Sequence, residues 1–277
     1  MIQLSILVPT FNYSKGIVRI LQALTPLPAS VELIISDDST DTSVMDVVEQ
    51  YAAENVVYKK NTPAYGAVEN WNRLIECAKG RFIILLHHDE LPLGRNFLSR
   101  LLAILRHTSS DVLMMDVLLL NKSLTPIRRH LPYPFRDFVI HYAPGYLFCR
   151  NVIGPTAALV VRKAFYPKFH NALQWLVDVE LYYRLRQNTK RWATLRGLEI
   201  GSVQGDHETI TETIQSQLKQ LEQTERDRLS AAHPEASFWI NLQGKPFSGT
   251  LEAAVWGGFR AVQITLSKLR TQKRPSE

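Results

Sequence analysis

Four apolar runs, set apart by helical patterns, do most to limit what this chain can fold into. They are "LSILVPT" (Leu4 to Thr10), "VELIISDD" (Val31 to Asp38), "NVVYKKN" and "RFIILLHHDELP" (Arg81 to Pro92). The last of them holds five apolar residues in succession, Phe82 to Leu86, which fits a strand buried on both faces of a sheet. Between them lie a helical stretch from roughly Gly16 to Leu24, the Ser/Thr/Asp-capped "STDTSVMDVVEQYAAE", and "GAVENWNRLIECAKG", where Gly80 is expected as the C′ residue. A helix near Arg95 to His107, a strand "DVLMMDVLLL", a strand "TAALVVRKAF" and a helix "LQWLVDVELYYRLRQ" follow. Strand and helix in alternation predict an α/β fold: a mostly parallel sheet with helices on both faces.

Two regions break the rhythm. From about Tyr133 to Thr156 the chain is rich in proline and aromatics at irregular spacing, which predicts loops around a site. Past Gly205 the polar helix "ETITETIQSQLKQLEQTERDRLSAA" begins a helical C-terminal extension. The expected division is therefore 1–210 for the sheet domain and 211–277 for the extension. Its last helix, about Thr250 to Arg270, sets Leu251, Val255, Phe259, Val262 and Leu266 on one face and ends in Lys268, Arg270, Lys273 and Arg274. That pattern suits packing against protein and lying on a membrane surface equally well.

Composition narrows the class. At 45% hydrophobic and 21% charged residues the chain is globular rather than disordered. The net charge of +6 is spread out instead of gathered into one basic face, so no nucleic-acid partner is expected. Cys77 and Cys149 fit no metal spacing and read as reduced thiols of a cytoplasmic protein. No signal-peptide pattern opens the sequence, and no apolar stretch approaches the ~20 residues that span a bilayer. The expected location is cytoplasmic, with the C-terminal helix as a candidate peripheral contact at the inner membrane face.

The chemistry gathers at strand ends, where open α/β sheets bind ligands. Thr10 and Asn12 follow the first strand, and Asp37 and Asp38 the second. An acid after the second strand can bond a ribose or base, or can cap the next helix together with Ser39 and Asp41; both readings stand. Neither G-x-G-x-x-G nor G-x-x-x-x-G-K-[ST] is present, which argues against dinucleotide oxidoreductases and P-loop enzymes. His87-His88-Asp89-Glu90 ends the fourth run. Such a cluster can bind a metal, shuttle protons or mark a solvated loop.

In order, "SILVPTFN", "ISDDSTD", "NWNRLIECAKGRFIILLHHDE" and "WLVDVELYYRL" resemble the family 2 glycosyltransferases, over roughly residues 2 to 210. The resemblance implies a GT-A fold, inverting transfer from a nucleotide-diphospho-sugar, and a Mn²⁺ or Mg²⁺ ion. It places Pro9, Thr10, Asn12, Asp38, Asn70 and Arg73 around the nucleotide. Asp89, His87 and His207 become metal candidates, with Glu90 matching the acid that often follows. Asp178 is the expected general base and Glu180 its alternate, while Gly154, Pro155 and Thr156 fall on the acceptor side. Trp71 and Trp175 could stack on a sugar, although their helical spacing fits core packing. A saccharide or lipid-linked acceptor in cell-surface polysaccharide or glycolipid assembly is implied. Two departures stand out: His87 replaces the first acid of a D-x-D-type motif, and the glycine that usually follows the second acid at strand two is missing. They keep open a non-catalytic sugar-nucleotide-binding or scaffold protein of the same fold. Nucleotidyl transfer ranks third, for want of an early glycine-rich loop with a basic residue.

Overall fold

The computed structural model describes residues 1–51, 54–206 and 216–242. Chain order begins β1 (Leu4–Thr10), α1 (Ser14–Leu24), β2 (Val31–Asp37), α2 (Ser43–Gln50), β3 (Val56–Lys60), α3 (Ala67–Cys77) and β4 (Phe82–Leu85). It continues through β5 (Glu90–Leu93), α4 (Phe97–His107), β6 (Val112–Leu120), β7 (Pro126–Arg129), α5 (Tyr133–Tyr142) and β8 (Leu159–Arg162). The remaining elements are α6 (Val177–Asn188), β9 (Trp192–Val203), α7 (Leu218–Ala232) and α8 (Ser237–Leu242).

One sheet runs β3-β2-β1-β4-β8-β6-β9-β5, with β7 paired to β6. The four strands β3, β2, β1 and β4 are parallel. Beyond them β8 runs antiparallel to both β4 and β6, while β9 is parallel to β6. Side chains alternate between the faces, as a strand's period of two requires. Leu4, Ile6 and Val8 of β1 join a core with α1, α2 and α4. Leu7 joins the opposite core, with α3, α5, α6, α7 and α8. Burial on both faces explains why the strands read as unbroken apolar runs.

Two expectations change. The region from Tyr133 to Thr156 is not all loop: α5 and a 3₁₀ turn at Pro144–Phe148 bury Phe135, Val139, Ile140, Leu147 and Phe148. Pro134 and Pro144 sit in the first turns of these elements, where a missing N–H costs nothing, so they start helices instead of breaking them. Leu229 of α7 and Ile240 of α8 belong to the same core as α6. The amphipathic stretch from Thr250 to Arg270 lies outside the described residues. Among those described, no helix is long and apolar enough to cross a membrane.

Gly80 does not cap α3. The helix ends at Cys77, with Ala78 already extended at ψ 135°. The need for glycine is instead close approach: a Cβ at position 80 would lie 2.5 Å from the Ser5 nitrogen and 2.6 Å from its hydroxyl. The Gly80 N–H donates to that hydroxyl (2.7 Å), which in turn donates to buried Glu32 (2.5 Å). Gly80→Ala should therefore cost about 2 kcal/mol through overpacking. Thermal denaturation followed by circular dichroism would show it, and an unchanged midpoint would refute the close-approach account.

Candidate active site

The site forms where β1, β2 and β4 end. The Leu86 N–H donates to the Leu7 carbonyl (2.8 Å), so Leu7 faces β4. Pro9, two residues on, faces the same side, but β4 has ended at Leu85 and no ladder partner is lost. The chain then turns through Asn12, in the left-handed region at φ 48°. Its N–H donates to the Ser39 hydroxyl (2.8 Å), and its side-chain oxygen accepts from the Thr40 N–H (2.9 Å). Asn12 thus fastens the first strand-end loop to the second. Gly16 lets α1 close on the third, because a Cβ there would lie 2.0 Å from the His88 carbonyl. His88 Nδ1 lies 3.3 Å from the Thr10 hydroxyl and accepts from the Phe11 N–H at 3.3 Å.

The acids after β2 have separate partners. Only Asp41 serves the start of α2, accepting from the N–H of Ser43 at 3.0 Å and its hydroxyl at 2.8 Å. Asp37 is fully buried and held by Tyr58 Oη (2.7 Å), Lys60 Nζ (3.1 Å) and the Ser39 N–H (2.8 Å). Asp38 reaches the other way, accepting from Asn61 Nδ2 (2.8 Å), the Tyr65 N–H (3.1 Å) and the Gly66 N–H (2.9 Å). It therefore shapes the turn into α3. Asn70 is buried beneath this turn and donates to the Ser36 carbonyl (3.2 Å), a structural tie between α3 and β2. Arg73 pairs with Glu69 (2.8 Å) and lies over the Tyr65 ring at 4.1 Å. Lys60, Asn61 and Tyr65 were missed by sequence reasoning; the rule that buried acids need donors pointed to such partners without naming them.

At the end of β4 the chain turns tightly. The His87 N–H donates to Glu90 Oε2 (2.8 Å), and the Glu90 N–H donates to the His87 carbonyl (3.0 Å). His87 packs on Trp71 with ring centroids 4.9 Å apart, and its Nε2 lies 3.3 Å from the Thr156 hydroxyl. Donor atoms of His87, Asp89 and Glu90 all lie within 4.8 Å of one another, a set able to hold a metal ion. Glu90, matched in the sequence to the acid that often follows the metal-binding one, thus supplies a third donor. Burial pushes its carboxyl well above the usual range, and the negative charges of Asp89 and Asp178 push it further. His207 lies outside the described residues. Asp206 just before it binds Tyr13 Oη (2.6 Å), Lys15 (2.9 Å) and Arg19 (2.8 Å), which fixes the chain after β9 against α1.

The two acids of α6 part company. Asp178 is partly buried, and burial pushes its carboxyl up to about 7. Its charge is felt by Glu90, Tyr166 and Tyr182, so these groups lie near it. Glu180 is buried in an ion pair with Arg184, at 2.5 Å to Nε and 2.7 Å to Nη2, with His233 at 3.4 Å. That ion pair engages both carboxylate oxygens of Glu180.

The acceptor-side candidates serve mainly as framework. Gly154, at φ 99°, gives its carbonyl to Tyr182 Oη (3.0 Å) and Asn151 Nδ2 (2.9 Å). Thr156 is buried and donates to the Leu85 carbonyl (3.2 Å); Pro155 lies between them, partly buried. Trp71 sits in the core between His87 and Phe169 (5.0 Å), and Trp175 packs against the same core.

With the geometry in place, comparison with known proteins decides the family. The profile described as "Glycosyl transferase family 2" matches residues 5–165, more than half of the chain. The chain belongs to glycosyl transferase family 2. No curated protein sequence matches it. The crystal structure of S. aureus TarS 1-349 in complex with UDP-GlcNAc is similar, with a TM-score of 0.60 at 19% identity over 76% of this chain and 61% of that one. The longer S. aureus TarS structure gives 0.59 at 19% identity, over 73% and 37%. At this identity the likeness shows the fold, which is the GT-A sheet expected from the motifs. The present chain spans less than two thirds of either TarS chain.

Proposed function

We propose that this family member transfers a sugar from a nucleotide-diphospho-sugar to an acceptor hydroxyl, with inversion, aided by a divalent cation. The observation that carries the reading is the cluster of His87, Asp89 and Glu90 at the carboxyl edge of the sheet, near enough to Asp178 for its charge to act on Glu90. Glu90 is a buried carboxyl beside a second acid, which is costly unless a cation answers it. The nitrogen and oxygen donors of His87, Asp89 and Glu90 fit Mn²⁺, and the carboxylates alone fit Mg²⁺. Bound there, such an ion would supply positive charge for the diphosphate as it leaves.

The chain's own groups account for the rest. Asp178 takes the proton of the attacking hydroxyl as the new C–O bond forms at the anomeric carbon. The bond to the diphosphate breaks with its electron pair, and a single displacement inverts the centre. A carboxyl whose pKa is raised to about 7 suits this task, since it is basic enough to accept the proton and gives up its own as pH rises through neutrality. Asp38, through Tyr65 and Gly66, sets the loop beside the nucleotide. TarS was crystallised with UDP-GlcNAc, which makes uridine sugars the first donors to try. A saccharide or lipid-linked acceptor in cell-surface polysaccharide or glycolipid assembly, met in the cytoplasm or at the inner membrane face, completes the reading.

Titration calorimetry with a panel of nucleoside diphosphates, with Mn²⁺ and then EDTA, tests it. One nucleotide should bind tightly only with metal, and the matching sugar nucleotide should be turned over. Binding of none, or binding without turnover for any sugar or acceptor, would leave a binding or scaffold protein. Asp38→Asn should weaken the chosen nucleotide about tenfold, as a charge-assisted bond to the Tyr65–Gly66 turn is lost. An unchanged affinity in the same titration would separate that turn from the nucleotide.

A further inference from the structure

The helix that carries Asp178 is closed at its N-terminus by a carboxylate from far along the chain. Glu225 of α7, 0% exposed, accepts from the N–H groups of Gln174 (2.6 Å), Trp175 (3.2 Å to each oxygen) and Leu176 (2.8 Å). Amides at a helix start have no partner within the helix, and the positive end of its dipole favours an anion there. Each side therefore answers the other's buried polar group. Helix α7 is itself fixed. Arg226 reaches the carbonyls of Ile240 and Phe148, and Arg228 Nη1 donates to the Ala172 carbonyl (3.0 Å).

We infer that Glu225 is a positioning residue: by gripping three consecutive amides before α6 it sets where Asp178, in the first turn, meets the acids at the end of β4. The inference rests on the reading of Asp178 as the base. Leu176 is the N-cap of α6 and Asp178 is its second residue, so the clamp ends two residues from the reacting group. The turn after it is tied by Arg184, which donates to the Lys168 carbonyl (2.6 Å). Nothing in this arrangement touches the donor loops after β1 and β2. The expected signature is therefore a loss in the chemical step without a loss in donor binding. A misplacement of about 1 Å can cost about a hundredfold in rate.

The test uses the full chain, Mn²⁺ and the sugar nucleotide selected by the calorimetric panel. Glu225→Gln keeps the shape but sets an NH₂ group against N–H donors; kcat should fall about tenfold or more, with donor KM and nucleotide affinity within about twofold. Leu229→Ala, a cavity on the core side of α7, supplies a comparable loss of melting temperature and should keep kcat within about twofold. In an Asp178→Asn background, Glu225→Gln should cause no further loss, because it acts through a group already removed. If Glu225→Gln fails to fold, Glu225→Asp, which keeps the charge but retracts it, takes its place in each comparison. Unchanged kcat, a loss matched by Leu229→Ala, or a fully additive double variant would each overturn the inference. If Asp178→Asn were itself fully active, the base reading would fail first.

Discussion

Asp178→Asn should lower kcat by about two to four orders of magnitude, the usual worth of a positioned general base, while nucleotide affinity stays near that of the parent chain. The same change should make the protein more stable above neutral pH. Burial raises the folded-state pKa of Asp178 to about 7, above its ordinary value of 3.8. The folded state thus holds a proton that the unfolded state gives up. This group costs nothing below pH ~4, costs progressively more as pH rises to ~7, and stays costly beyond. Partial exposure tempers the penalty to about 2 kcal/mol, so at pH 8 the asparagine variant should melt several degrees higher, and at pH 4 at the same temperature. For the parent chain, kcat/KM should rise with pH through a midpoint near 7, as the base loses its proton. Full activity in the variant, or a melting difference independent of pH, would remove Asp178 from the mechanism. Such an exchange of stability for activity is expected where a carboxyl is kept out of water for chemistry.

The sequence showed the sheet well, for a physical reason. Strands such as Leu4–Thr10 are buried on both faces, and few other environments tolerate such runs. What it could not show depends on contacts between distant residues. Asp37 and Asp38 are adjacent and chemically alike, yet one is locked to Tyr58 and Lys60 while the other turns to Asn61 and the start of α3. Asp178 and Glu180 lie two residues apart on one helix, and which one meets the end of β4 depends on the sheet beneath it. Arg184, one turn along, claims Glu180. Gly80 carried the local mark of a helix terminator, and the approach of β1 gave it another use. Glu225 is some fifty residues from the amides it holds, beyond the reach of any local pattern.

Removing the first acid of the proposed metal set should be as damaging as removing the proposed base. Asp89 offers a partly exposed oxygen beside Glu90 and His87, and its charge helps push the Glu90 carboxyl upward. Two acids this close repel each other when no cation is present, so the site is a source of instability until it is filled. Mn²⁺ at about a hundredfold excess over its Kd should then stabilise the parent chain by about 2.7 kcal/mol, read as a melting temperature raised by several degrees. Asp89→Ala should abolish that rise, yet melt no lower than the parent in EDTA, since a repulsive charge has gone. Its kcat should fall about a thousandfold, because the charge growing on the diphosphate is left without its counterion. EDTA should reduce the parent chain to the same level, and EDTA should do nothing further to the variant. A parent chain whose melting and turnover ignore both Mn²⁺ and EDTA would show that His87, Asp89 and Glu90 form only a tight turn, and that charge on the leaving group is met by other residues.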